Sequence, residues 1–295
     1  MPELPEVETI RREMKNVLLG QTIRKIEISE RRLRTLIPLG FEQDLENLTI
    51  SSVGRRAKYI LTGFEKTSLT LVIHLGMSGR VFLPLPSSHH HPPERQKHEH
   101  VIFTFDSGQQ MRFFDPRRFG SMTLGLTPES LFQGVGPEPL SEEFDATILK
   151  AALFNKKTSI KAALLDQRVV AGLGNIYVCE ALHMARIHPE RLAKDLVPDE
   201  HSALVIAIKD VLHKAIAAGG STLRDYKRTD CEAGAFQHHF KVYNQRGKNC
   251  PSCHENAIER IRQSGRSTYF CKSCQSYDNP FDSKMISEVW QVKKS

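Results

Sequence analysis

The apolar residues of the chain change their spacing twice, and the changes divide it into three stretches. Near the start, Val7, Ile10, Met14, Val17 and Leu18 recur at helical intervals, and Gly20 follows as a stop. The spacing predicts a helix over 7–18 that docks through one apolar face. From Thr22 to Leu124 the apolar positions fall instead into short β-rich runs at 23–28, 59–61, 69–75, 101–105 and 111–114. Turn residues separate these runs at intervals suited to a β-sandwich or barrel. Between Pro84 and Pro93 the series is broken by proline, serine and histidine, which read as a loop between two strands. The run His89-His90-His91 inside it has no acidic or cysteine partner nearby and is expected to be solvated.

A third pattern follows Gly134-Val135-Gly136-Pro137-Glu138-Pro139, which has the composition of a linker. From Ser141 onwards helical periodicity returns at 146–154, 160–165, 177–185 and 203–218, the last stopped by Gly219-Gly220. Short strands are predicted at 240–243 and 267–270, flanking two cysteine pairs. The expected division is an N-terminal helix and β-sandwich over 1–133, a linker over 134–140, a helical domain over 141–239 and a cysteine-bearing hairpin over 240–275. Residues 276–295 form a tail expected to be disordered. The fold class is α+β.

Composition narrows the partner. Forty-one Lys and Arg against 34 Asp and Glu give a net charge of +7 and a pI near 9.1. Such a balance points to a polyanion, either nucleic acid or a membrane surface. No apolar run reaches membrane-spanning length, and the acidic start is unlike a signal peptide, so a cytosolic protein is expected.

Four of the six cysteines form Cys250-x2-Cys253 and Cys271-x2-Cys274, with seventeen residues between the pairs. Two such knuckles suit a tetrahedral four-thiolate zinc with a β-hairpin between them, and four thiolates leave no open position for catalysis. The site is therefore expected to be structural; Cys179 and Cys231 are left as thiols without a role. Between Lys241 and Lys272 stand seven Lys/Arg and two acids. That charge fits a solvated knob or, more sharply, a DNA-contacting finger tipped by Arg260, Arg262 or Arg266.

The opening Met1-Pro2-Glu3-Leu4-Pro5-Glu6-Val7-Glu8 also has two readings. Acidic residues commonly open helices. If Met1 is removed, however, Pro2 becomes a free secondary amine, able to attack an electrophilic carbon and form an iminium, with the Glu3 carboxylate beside it. In Arg55-Arg56-Ala57-Lys58-Tyr59, three cations stand at the entry to a strand, as a solvated face or within reach of that amine if the sheet packs on the first helix. Gly76-Met77-Ser78-Gly79 is a turn exposing an apolar side chain, and Asp115-Pro116-Arg117-Arg118-Phe119-Gly120 is a turn with arginine and phenylalanine. An apolar wedge beside an arginine is suited to penetrating a duplex. Gly172-Leu173-Gly174-Asn175 precedes a helix and offers its start to a phosphate, or is an ordinary turn.

These stretches, with His74-Leu75, Lys97-His98, Gly136-Pro137-Glu138-Pro139-Leu140, Ile176-Tyr177 and the cysteine hairpin, occur in one order along nearly the whole chain. In this the sequence resembles the bacterial formamidopyrimidine-DNA glycosylase family. The resemblance implies a helix-two-turn-helix domain after the sandwich, a C-terminal zinc finger and a bifunctional repair enzyme. Such an enzyme excises oxidised purines (8-oxoguanine and formamidopyrimidines) from double-stranded DNA and then cuts the strand at the abasic site. It implies catalytic roles for Pro2 as nucleophile, Glu3 as proton donor, Lys58 in β-elimination and Arg266 in phosphate clamping and δ-elimination, with Glu6 as a further acid at the site. Met77, Arg117 and Phe119 match the intercalating trio, and His74, His98, Lys156 and Asn175 match DNA contacts. Ser221, Thr222, Leu223 and Arg224 match the loop at the flipped base; Arg224 stands where a lysine can occur, which leaves lesion preference open. The implied cofactor is one structural zinc ion, the partner damaged duplex DNA, and the protein a monomer. A sister glycosylase of the endonuclease VIII type, directed at oxidised pyrimidines, is the nearest alternative, and Leu4 to Thr9 with the intercalating trio weigh against it. A non-catalytic zinc-finger binding protein would not need Pro2, Glu3, Lys58 and Arg266 together.

Overall fold

The computed structural model describes residues 2–84, 94–125, 132–221 and 234–277. His89–His91, Thr222, Leu223, Arg224, Cys231 and all but the first two residues of the expected tail lie outside the described residues. The first helix, α1 (Leu4–Leu18), starts three residues earlier than its apolar spacing predicted. Pro5 in the first turn needs no N–H partner, and a capping box joins Glu3 to Glu6.

Eight strands follow with one short helix among them: β1 (Ile23–Ile28), α2 (Phe41–Leu45), β2 (Ile50–Arg56), β3 (Tyr59–Phe64), β4 (Thr70–His74), β5 (Arg80–Phe82), β6 (Glu99–Phe105), β7 (Gln110–Phe114) and β8 (Ser121–Gly125). They form two four-stranded antiparallel sheets, ordered β1-β6-β7-β5 and β2-β3-β4-β8. One apolar core takes Ile26, Val101, Phe103 and Phe113 from the first sheet and Val53, Ile60, Ile73 and Met122 from the second. Val7, Ile10, Met14 and Leu18 of α1 join the same core. Each such side chain, buried from water, contributes about 2 kcal/mol. The expected sandwich is present.

The helical stretch contains α3 (Ala146–Leu153), α4 (Ile160–Leu165), α5 (Asn175–Met184) and α6 (Pro198–Ala217), and ends in the hairpin β9 (Glu259–Gln263) and β10 (Arg266–Phe270). Asp145 caps α3 and Ser159 caps α4 through their side chains. The expected strand at 240–243 is absent. Its backbone N–H groups at Lys241, Val242 and Tyr243 are taken by the buried carboxylate of Glu180 on α5, at 2.8–3.0 Å, so they enter no ladder. The linker-like stretch at 134–140 is docked: Gly136 N–H donates to Gln167 O at 2.8 Å and Ala171 N–H to Pro137 O at 2.9 Å.

The chain divides into two compact units, one comprising Met1–Gln133 with Ala215–Gln237, the other Gly134–Lys214 with His238–Ser295. Sequence pattern assigned 215–237 to the helical domain. The contacts group it with the sandwich, where Ser221 donates its N–H and hydroxyl to Glu6 of α1.

Candidate functional site

In the first unit the N-terminal end of α1 is built around Glu6. Its carboxylate accepts the Glu3 N–H at 2.9 Å, the Ser221 N–H at 2.7 Å and the Ser221 hydroxyl at 3.0 Å. Pro2, Glu3 and Glu6 are all buried. One carboxylate thus fixes the residue next to Pro2 and the first residue of the 221–224 stretch, which sequence alone could not connect.

Lys58 is brought toward the same end by the run of β2. That strand starts beside the C-terminal end of α1, where Gly20 N–H donates to Ile50 O at 2.9 Å. It runs back along the helix until Arg55 meets Glu8 at 3.1 Å. Lys58 lies beyond Arg55, in the turn between β2 and β3, and is buried. Sequence pattern placed it at the entry to a strand. It sits instead on a two-residue turn whose first residue, Ala57, is left-handed with φ of 51°. Burial works against charge on Glu8, but Arg11, Arg12 and Arg55 outweigh it and hold its carboxyl below the usual range.

The turns carrying Met77, Arg117 and Phe119 are clamped by Asp115, whose role sequence reading missed. Fully buried, Asp115 accepts the Ser78 hydroxyl at 2.5 Å and the Gly120 N–H at 2.7 Å. Ser78 in turn accepts the Arg117 N–H at 3.2 Å. Gly76, at φ of 60°, lies so close that a Cβ there would enter the Phe119 carbonyl. The turns therefore meet backbone to backbone, leaving Met77 36% and Phe119 44% exposed. The Arg117 guanidinium lies 4.8 Å from the Phe119 ring centroid. The one sequence signal for the clamp was an Asp at the head of a Pro-Arg-Arg-Phe-Gly turn.

His74, at the end of β4, packs its ring 4.6 Å from Tyr59, and its Nδ1 accepts the Gly76 N–H at 3.1 Å. Burial, followed by the Arg34 and Lys58 cations, draws its pKa down to about 4, against a smaller opposing pull from Asp115. The ring is neutral near pH 7, and with Nδ1 accepting, its proton is on Nε2. His98, left-handed at φ of 72°, gives its carbonyl to Asp115 N–H at 3.0 Å and faces Phe114.

The second unit carries Lys156, Asn175 and Arg266. Arg266 opens β10 immediately after Ser264 and Gly265, with φ of 47° and 77°. Two positive φ values make the tight turn that matches strand twist, and Arg266 is exposed at its end. The Ser267 carbonyl accepts the Asn175 amide at 2.9 Å and the Lys161 ammonium at 3.3 Å. Lys161, 1% exposed, also donates to the Thr268 hydroxyl at 2.7 Å. This network seats the finger on α4 and α5 and was not foreseen. Lys156 pairs with Asp166 at 3.8 Å.

The four cysteine sulfurs lie within 4.8 Å of one another. Cys250 and Cys274 are 3.7 Å apart, as are Cys253 and Cys271. A tetrahedron with metal–sulfur bonds of about 2.3 Å has edges of about 3.8 Å. Burial and neighbouring sulfurs push the Cys271 and Cys274 thiols up, whereas Cys253, despite burial, is drawn down to about 7 by the N–H groups of Glu255 and Asn256. The residues fit a tetrahedrally bound metal ion.

A buried acid-rich helix start, exposed Met77 and Phe119 beside Arg117, and a basic four-cysteine hairpin are the features expected of a nucleic-acid enzyme. Residues 1–122 match the family model of the formamidopyrimidine-DNA glycosylase N-terminal domain, and residues 135–227 that of its H2TH domain. The formamidopyrimidine-DNA glycosylases of Nitrobacter winogradskyi and Phenylobacterium zucineum are each 48% identical to the chain, covering 94% and 93% of it and 100% of their own length. A solved complex between the Lactococcus lactis Fpg and abasic-site DNA has a TM-score of 0.83 at 36% identity, covering 93% of this chain and 100% of its own. A complex of MutM with DNA containing carbocyclic 8-oxo-G has a TM-score of 0.82 at 36% identity and the same coverage. The chain belongs to the formamidopyrimidine-DNA glycosylase family. Among the described residues, no helix is long and apolar enough to cross a membrane.

Proposed function

We propose that the protein carries out base-excision repair of oxidised purines in double-stranded DNA, with Pro2, freed of Met1, as the nucleophile. Its amine attacks C1′ of the damaged nucleotide; the base leaves, and Glu3 supplies the proton that lets the sugar ring open to an iminium. The iminium acidifies the 2′ protons, and the phosphates leave by successive β- and δ-elimination. Lys58 serves the first elimination and Arg266 the second. Glu6 holds Glu3 and Ser221 in place. Met77, Arg117 and Phe119 enter the stack as the base leaves it, offsetting part of the few kcal/mol lost in unstacking. His74, His98, Lys156 and Asn175 take backbone phosphates. Ser221, Thr222, Leu223 and Arg224 serve the displaced base.

The metal read from the four cysteines is zinc, held by Cys250, Cys253, Cys271 and Cys274; bound there it supplies structural support alone, as four thiolates leave no open position. The protein acts as a monomer in the bacterial cytoplasm, on the chromosome. The observation that carries this reading is the Glu3–Glu6–Ser221 hydrogen-bonded cluster at the start of α1 in a chain of this family. Borohydride trapping on an 8-oxoguanine:cytosine duplex tests it. The processed protein should give a covalent adduct and Pro2→Gly none; trapping that survives Pro2→Gly would sink the mechanism. Comparing 8-oxoguanine with thymine glycol excision separates it from a pyrimidine-directed enzyme.

A further inference from the structure

One face of α5 turns toward the metal centre without contributing a ligand. Cys179 packs among Cys250, Cys271, Cys274, Val242 and Ile258. Glu180 collects the backbone N–H groups at 241–243, leading toward the first knuckle. One turn after Cys179, the 4% exposed ring of His183 places Nε2 at 3.4 Å from the Cys250 sulfur. That separation is a hydrogen bond to sulfur, and its direction follows from chemistry. A metal-bound cysteine is a thiolate with no proton to give, so the imidazole N–H is the donor.

We propose that His183 is a positioning residue of the metal centre, donating its Nε2–H to the Cys250 thiolate and so binding α5 to the bound ion. The proposal rests on the reading that the four cysteines hold zinc. A tetrathiolate zinc centre carries a net charge of −2, and a donor to one sulfur withdraws charge from it and fixes its lone-pair direction. Cys250 also accepts the Ser252 N–H at 3.4 Å, so its sulfur is held from its own knuckle and from the helix. The same helix begins at Asn175, whose amide grips Ser267 beside Arg266. α5 thus touches the finger at both its ends, and His183 is the end that senses the metal.

The test uses the full-length protein loaded with Zn2+ or Co2+. In His183→Phe, metal should pass to a chelator about 10-fold faster than in the parent, the size expected on losing such a partner. The sulfur-to-cobalt charge-transfer bands should move to longer wavelength. His183→Gln, whose amide nitrogen reaches the same place, should restore most of both. Independently of any variant, nitrogen NMR of the zinc-loaded parent should find the His183 proton on Nε2. A proton on Nδ1 with bare Nε2, or release rates and bands unchanged in His183→Phe, overturns the proposal. A parent that binds no stoichiometric zinc would instead sink the zinc reading on which it rests.

Discussion

Hairpins β2–β3 and β9–β10 are each tipped by a cation, and they are held by opposite means. Behind Lys58, the strands send Val53, Ile60 and Phe64 into the sandwich core, and the lysine itself is 8% exposed. Behind Arg266, β9 has no fully buried residue and β10 buries only Thr268 and Phe270. A two-stranded ribbon of that kind is at best marginal alone. It is held by the four-cysteine centre at its base and by Lys161 and Asn175 along its side. An apolar core can place a buried cation permanently; a ribbon based on four clustered cysteines can push a cation into solvent, and would do so only while a metal ion joined those cysteines.

The largest effect should come from removing the metal. The apparent folding energy of a structural zinc is about 10–16 kcal/mol, so chelation is expected to abolish strand scission and strip amide-exchange protection from 250–275. Protection in β2–β4 should persist; if it were lost as well, the two hairpins would not be independently supported.

Acid should act beside the other hairpin, where His74 of β4 packs on Tyr59 of β3. Unfolded His74 takes a proton near pH 6.5 and folded His74 only near pH 4. The stability this gives is complete above pH 6.5 and declines as the pH falls from there toward 4, by up to about 3 kcal/mol. Glu8, depressed by its arginines, adds a further loss in the same direction below its ordinary pKa. Amide exchange in β3 and β4 between pH 7 and 4.5 reads this apart from metal release, and a flat profile would contradict it.

Asp115→Asn should cost about 2 kcal/mol in urea unfolding, the scale of a buried hydrogen bond to a charged group. It should also lower excision more than it lowers binding to undamaged duplex, because the wedge turns lose their common clamp. Equal losses in both would assign Asp115 to stability alone.

At the tip of β9–β10, Ser264→Asn should gain a few tenths of a kcal/mol, since asparagine before glycine prefers this turn. Thermal unfolding of the metal-loaded protein checks it; a destabilised variant would mean that the turn is not set by local preference.

What could be read from sequence followed how locally each feature is encoded. Strand β1 and helix α4 were legible to the residue, because their apolar spacing is self-contained. The cysteine pairs announced a metal site through spacing alone. β2 was missed because Ile50-Ser51-Ser52-Val53-Gly54-Arg55-Arg56 has two apolar positions in seven, and its strand character comes from β3 and from Arg55 meeting Glu8. Residues 240–243 were misread for the reverse reason: their β-rich composition is overruled by a carboxylate about sixty residues away in sequence. Met77 and Phe119 were recognisable by motif, but Asp115 as their clamp requires a contact between turns 37 residues apart. The gap is long-range polar pairing, to which periodicity is blind.

The seat beneath Met77 and Phe119 has a consequence for variation. Gly76 packs directly on the Phe119–Gly120 main chain, and Asp115 ties the two turns through the Ser78 hydroxyl and the Gly120 N–H. None of these bonds involves the Met77 or Phe119 side chain. The mount is therefore separable from the tool it carries. The side chains at positions 77 and 119 can be exchanged, in shape and in hardness, while the socket beneath them stays the same.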